Sequence, residues 1–155
     1  MAYTKKFSGK LAFLSNMHVL TNPIEFDGVE YYTVEHAYQV ARTLDLEWRE
    51  KIAACGTPYA AKTLAKQAPT RPNWLVIRVG LMDDLVQQKF RNNPDLMELI
   101  CSIPDEDIVE ENSWGDTFWG VCNGVGTDWL GYILRNIKHS NYDDAPEDEL
   151  TITVA

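Results

Sequence analysis

Residues 116 to 120 read DTFWG, one carboxylate set among large rings and closed by a glycine. Charges are costly to bury and rings favour the core, so the mixture fits either of two readings. In one, Asp116 caps a turn while Phe118 and Trp119 fill the interior. In the other, rings and carboxylate together wall a site for a planar base or a sugar, with the oxygens accepting hydroxyl protons. Trp114 lies two residues before Asp116, and glycines at 115 and 120 free the backbone to turn sharply.

A second candidate acid, Glu35, stands in VEHAYQVARTL, next to His36 and shortly after Tyr31 and Tyr32. It is read either as a surface glutamate favoured by the positive end of a helix dipole or as a catalytic carboxylate. FLSN, Phe13 to Asn16, ends on short polar residues that suit a buried turn or a ligand contact. NGVGTD, Asn123 to Asp128, offers amides ahead of a helix that could cradle a phosphate, without the spacing of a nucleotide-binding fingerprint. Arg78 and Lys89 are eleven residues apart, three helical turns, and could share a face. Solvated ion-pair partners are the plainer reading for both. Three scattered histidines (His18, His36, His139) and three cysteines without paired spacing give no transition-metal site, so no metal is expected.

The elements that must position these groups follow from the pattern. PIEFDGVEYY holds two β-prone runs around Asp27-Gly28, a pair that supplies the positive φ angles of a tight hairpin. A helix follows with Thr33 as its cap and Val34, Ala37, Tyr38 and Ala41 at helical spacing. Residues 47–92 read as three helices divided by CGTP and APTRPN, the longest from about Trp74 to Arg91. A shorter helix starts near Pro94. A glycine-bearing, loop-rich segment comes next, with Ile108-Val109 as a brief strand, and then a last helix capped by Asp128 that presents Trp129 (or Leu130), Ile133, Leu134 and Ile137. The expected fold is α+β, a predominantly helical single domain over residues 1–142 with a small sheet from the N-terminal third. Residues 143–155 are expected to be an acidic tail, with TITVA as a terminal strand if it meets an edge.

The chain has 155 residues and is 45% apolar, enough for one domain with a core. Net charge is −9, and five of the acids lie in residues 143–155. The remaining 14 basic and 18 acidic residues leave a mildly acidic body, which disfavours tight nonspecific binding to duplex nucleic acid. A local basic pocket is compatible with that balance. The unpaired thiols, the absence of an apolar leader at the N-terminus and the lack of any apolar run near about 20 residues are expected of a soluble, cytoplasmic protein without a membrane partner.

Taken in order, FLSN, VEHAYQ, an Asn-Trp pair, KF in a long helix, DTFWG and a Gly-x-Gly ahead of Leu-Gly resemble the NADAR family, from about Phe13 to Lys138. The resemblance implies that family's α+β fold and a cofactor-free enzyme that hydrolyses an N-ribosyl bond. The implied substrates are ADP-ribosylated nucleobases, such as guanine in DNA, or ribosylamino-pyrimidine intermediates of riboflavin synthesis. By the same resemblance Glu35 matches the catalytic glutamate. Asn16, Trp74, Asp116 and Trp119 match pocket positions, with Arg78 and Lys89 as phosphate partners. Two positions depart from the pattern: Asp128 stands where the family usually has Asn, and Arg42 where it has Lys. Aspartate cannot donate a hydrogen bond at neutral pH, and arginine keeps the charge but not the geometry.

Breaking a ribosyl-nitrogen bond develops positive charge on the sugar, which a nearby carboxylate stabilises. Glu35 would then activate water or shield the cation while Asp116, the second catalytic carboxylate, fixes the ribose or steers the water. The rival readings are a non-catalytic module that binds ADP-ribose or a related nucleotide in the same pocket, and an acidic interaction protein whose tail recruits a partner.

Overall fold

Asp27 and Gly28 both adopt positive φ, 49° and 80°, in the computed structural model of the chain, and close the two-residue turn that the Asp-Gly pair predicts. They join β1 (Ile24–Phe26) to β2 (Val29–Tyr31) in an antiparallel pair with Phe26 opposite Val29 and Ile24 opposite Tyr31. The structure describes residues 7–143, with side chains through residue 140, as two compact units, residues 7–94 and 95–143. The fold is α+β and predominantly helical. The rest of the expected acidic tail, including its terminal strand, lies outside the described residues.

In the first unit a short 3-10 turn, Gly9–Leu14, precedes the hairpin, and four helices follow: α1 (Val34–Ala41), α2 (Leu46–Ala53), α3 (Pro58–Ala65) and α4 (Trp74–Asn92). Each of the first three is capped by a side chain. Thr33 accepts from the His36 amide, Asp45 from those of Glu47 and Trp48, and Thr57 from that of Ala60, ahead of Pro58 in the first turn. Helix α1 packs against α2, α3, α4 and β1 and is buried on nearly every side. Small residues make the α1–α3 approach close, since Ala37 and Ala41 on one helix and Ala61 and Ala65 on the other are all buried. A helix enclosed this way has no solvated face to receive a charge, so a glutamate on it is under strong constraint.

The second unit carries α5 (Pro94–Cys101), β3 (Glu111–Asn112) paired in parallel with β4 (Val121–Cys122), and α6 (Trp129–Asp143). Leu130, Ile133, Leu134 and Ile137 are buried as the helical spacing predicts. The strand expected at Ile108-Val109 falls instead on Glu111–Asn112. Ile108 is fully buried and ends a 3-10 turn, its amide bonding back to Asp105, so it serves the core rather than a ladder.

Candidate active site

Glu35 occupies the first turn of α1 and is only 7% exposed. Its backbone amide donates to the Asn16 carbonyl at 3.1 Å, which ties the FLSN turn to the helix start. One turn along α1, Gln39 Nε2 donates to Glu35 Oε1 at 2.8 Å. This contact fixes the orientation of the Gln39 amide, because its oxygen could not face a carboxylate. Gln39 is also 7% exposed, and its Oε1 has no hydrogen-bond partner among the described residues. Asn16 Oδ1 is unpartnered in the same sense, while Asn16 Nδ2 lies 3.5 Å from Met82 Sδ. Buried acceptors left open this way are uncommon and suit a water or a ligand hydroxyl.

Gln39 also lines a cleft of about 610 Å³ within the first unit, together with Tyr38, Trp74, Arg42, Arg71 and Arg78. The Tyr38 and Trp74 rings sit 5.0 Å apart at 53° and form an apolar wall. Arg71 is held by the C-terminal end of α1: its amide donates to the Arg42 carbonyl at 2.9 Å and its guanidinium to the Ala41 carbonyl at 3.3 Å. Carbonyls at a helix end lack intrahelical donors and favour a cation, so the same contacts cap α1 and fix Arg71 at the cleft. Three guanidiniums in one cleft of a net acidic chain form the local basic pocket that the overall charge had left open.

Lys89 lies elsewhere than its surface reading suggested. It is 1% exposed on α4, donates to the Ser15 carbonyl at 3.0 Å and does not line the cleft. Burial lowers its pKa from 10.5 to about 7. The structure thus brings Asn16, Glu35 and Lys89 to one end of α1, and Trp74 and Arg78 to the cleft beside Gln39. Gln39 and Arg71 were not singled out in the sequence and Tyr38 was read only as a helix-face residue, although Gln39 is four residues from Glu35 and so shares its helical face.

The DTFWG segment belongs to the second unit. Asp116 is half-buried, and its Oδ1 accepts from the amides of Phe118 at 3.0 Å and Trp119 at 2.9 Å. Asn112 clamps Asp116 from the other side, accepting from its amide at 3.0 Å and donating to its carbonyl at 2.7 Å. Both rings are half-buried and meet edge to face at 4.9 Å. The two glycines do different work. Gly115 turns the chain at a φ of 86°. Gly120 is required by close approach instead, since a Cβ there would collide with the Glu110 carbonyl and lie 2.9 Å from Asn112 Nδ2.

Asp128 is buried, with Oδ1 accepting from the amides of Glu110 and Gly131 and Oδ2 paired with Arg135 at 3.2 Å. It caps α6, and desolvation raises its pKa against the opposing pull of those donors and of Arg135. Within NGVGTD the Val125 amide donates to the Cys122 carbonyl and the Thr127 amide to the Thr117 carbonyl, and just past it the amides of Trp129 and Leu130 donate to the carbonyls of Phe118 and Trp119, so these four donors are spent inside the unit. Among the described residues no three or more His, Cys, Asp or Glu side chains gather as a metal site. None of the described helices is long and apolar enough to cross a membrane.

Residues 3–140 match the NADAR domain. The chain is 30% identical over 119 residues to the N-glycosidase YbiA of Shigella boydii serotype 4 (strain Sb227), covering 75% of this chain and 74% of that one. It is 30% identical over 137 residues to the riboflavin biosynthesis protein VVA0006 of Vibrio vulnificus (strain YJ016), covering 86% of this chain but 36% of that one. The NMR structure of the E. coli protein YbiA superposes with a TM-score of 0.74 at 25% identity, over 92% of this chain and 84% of the other.

Proposed function

The chain belongs to the NADAR family and is a hydrolase of N-glycosyl bonds, and we propose that its substrate is a phosphorylated N-riboside cleaved with help from Glu35. The substrate class is an ADP-ribosylated nucleobase, such as guanine in DNA, or a ribosylamino-pyrimidine phosphate of the riboflavin route. One observation carries this reading: a cleft with three arginines and two aromatic rings whose wall residue, Gln39, is hydrogen-bonded to a buried carboxylate. Arginine forks match phosphate oxygens, and rings match a base or a sugar face.

As the bond between the anomeric carbon and nitrogen breaks, its electron pair leaves with the base and the sugar becomes oxocarbenium-like. The negative charge of Glu35 opposes the charge that develops there, which is electrostatic stabilisation aimed at the transition state. Water then bonds to the anomeric carbon. Glu35 accepts the proton that water gives up and releases it to solvent, and the departing nitrogen, holding the pair from the broken bond, takes one proton from solvent, which returns Glu35 to its carboxylate and completes the products. A module that only bound nucleotides would need the rings and arginines but not a carboxylate, whose burial carries a desolvation cost.

The test is incubation with ADP-ribosylated guanine DNA, with NAD and ADP-ribose, and with ribosylamino-pyrimidine phosphates, followed by mass spectrometry of the products. Release of free base or amine together with the intact sugar phosphate is expected. Binding without release from any of them would favour the nucleotide-binding module.

A further inference from the structure

Gln39 has an amide with two ends, and only one is used among the described residues. Its Nε2 holds Glu35 Oε1 at 2.8 Å, and its Oε1 is a buried acceptor with no partner among the described residues, on a side chain that lines the cleft. We infer that Gln39 Oε1 accepts the 2-hydroxyl proton of the ribose whose N-glycosidic bond is cut, so that the enzyme selects ribosides over 2-deoxyribosides. This rests on the reading of Glu35 as the carboxylate that faces the anomeric carbon.

The geometry follows from connectivity. In a reactive complex the attacking water stands about 3 to 3.5 Å from the anomeric carbon, with the Glu35 carboxylate in hydrogen-bond reach of that water. The 2-hydroxyl is borne on the next ring carbon, and Gln39 Oε1 lies one amide's width from the same carboxylate. An acceptor there meets the hydroxyl and at the same time leaves the Glu35–Gln39 bond in place. In glycoside hydrolysis, hydrogen bonds to the 2-hydroxyl strengthen as the sugar approaches the transition state. A buried acceptor built for a hydroxyl also rejects the analogue lacking it, because the acceptor is then left desolvated and unpaired. For a nucleobase that carries ADP-ribose in DNA, this preference directs cleavage to the ribosyl bond and spares the deoxyribosyl bond of the DNA itself.

The experiment compares affinities for ribose 5-phosphate and 2-deoxyribose 5-phosphate, by calorimetry, in the parent, Gln39→Met and Gln39→Glu. The parent is expected to bind the ribose form on the order of tenfold more tightly, the worth of one hydrogen bond. Gln39→Met removes both ends of the amide at similar shape and should bring the ratio to near one, with 2-deoxyribose 5-phosphate bound about as well as by the parent. Gln39→Glu keeps an acceptor, and a proton shared with Glu35 replaces the amide N–H, so the preference should return. A merely structural role would weaken both ligands alike and leave the ratio unchanged, which would overturn the inference. Equal binding of the two by the parent would overturn it alone. Binding of neither would overturn it together with the phosphate reading of the cleft.

Discussion

Lys89 Nζ donates to the Ser15 carbonyl at 3.0 Å across 74 residues of sequence, and the lysine is fully buried where it does so. It therefore braces the turn whose next residue, Asn16, receives the Glu35 amide. The arrangement has a cost that depends on pH. Desolvation lets the folded amine release its proton at about 7, while the unfolded one holds it to the ordinary 10.5. Between those values the unfolded chain binds more protons, so stability from this group rises with pH, and below the folded pKa the full penalty of a buried charge is present. In Lys89→Met that pH dependence should vanish. The difference in unfolding free energy between parent and variant should move in the parent's favour by about 1.4 kcal/mol per pH unit inside the window. Chemical denaturation of both proteins at intervals from pH 6.5 to pH 10.5 measures it, and parallel curves would contradict the shifted lysine.

At Asp116 the expected outcome separates shape from charge. Its Oδ1 holds the amides of Phe118 and Trp119, and an asparagine oxygen can do the same. Asp116→Asn should keep the melting midpoint, whereas Asp116→Ala leaves two amides without an acceptor and should cost about 1 to 3 kcal/mol. If the carboxylate also serves the reaction, the Asn variant loses about tenfold or more in kcat at unchanged stability. Full activity in Asp116→Asn would make Asp116 a loop-shaping residue.

Much of this was legible in the chain, and the reasons differ from residue to residue. Asp27-Gly28 announced its hairpin because only a few residues tolerate positive φ at low cost. Thr33 announced the start of α1 through the chemistry of its hydroxyl, and Glu35 stood out by its position there. The burial of Lys89 was not legible, since periodicity gives a face but not what covers it, and lysine is seldom fully buried. Nor was the work of Gly120, which depends on the carbonyl of Glu110 ten residues earlier. Arg71 and Gln39 were missed for a related reason. A glutamine on an apolar helix and an arginine in a Pro-containing loop acquire meaning only when folding brings them to one cleft.

Asp128 carries the second pH prediction, of opposite sign to the first. Burial raises its folded pKa above the ordinary value of 3.8, so the folded chain binds more protons and stability is lost as pH rises through the folded pKa. Asp128→Asn keeps an acceptor for the Glu110 and Gly131 amides, gives up the Arg135 ion pair and removes this titration. The variant's stability should accordingly fall less than the parent's as pH rises from the ordinary 3.8 through the raised folded pKa, by thermal melting in matched buffers. Superimposable profiles would show that Asp128 does not titrate differently in the folded state.

The central claim is that the buried carboxylate of Glu35 performs the chemistry. Its most direct test is single-turnover hydrolysis of the best substrate by Glu35→Gln, with the melting midpoint and the ADP-ribose-induced shift recorded on the same preparation. Glutamine keeps the shape and an oxygen that still accepts from Gln39 Nε2, so folding and binding should hold while the rate falls on the order of a hundredfold or more. Hydrolysis at close to the parent rate by a folded, ligand-binding Glu35→Gln protein would contradict the account.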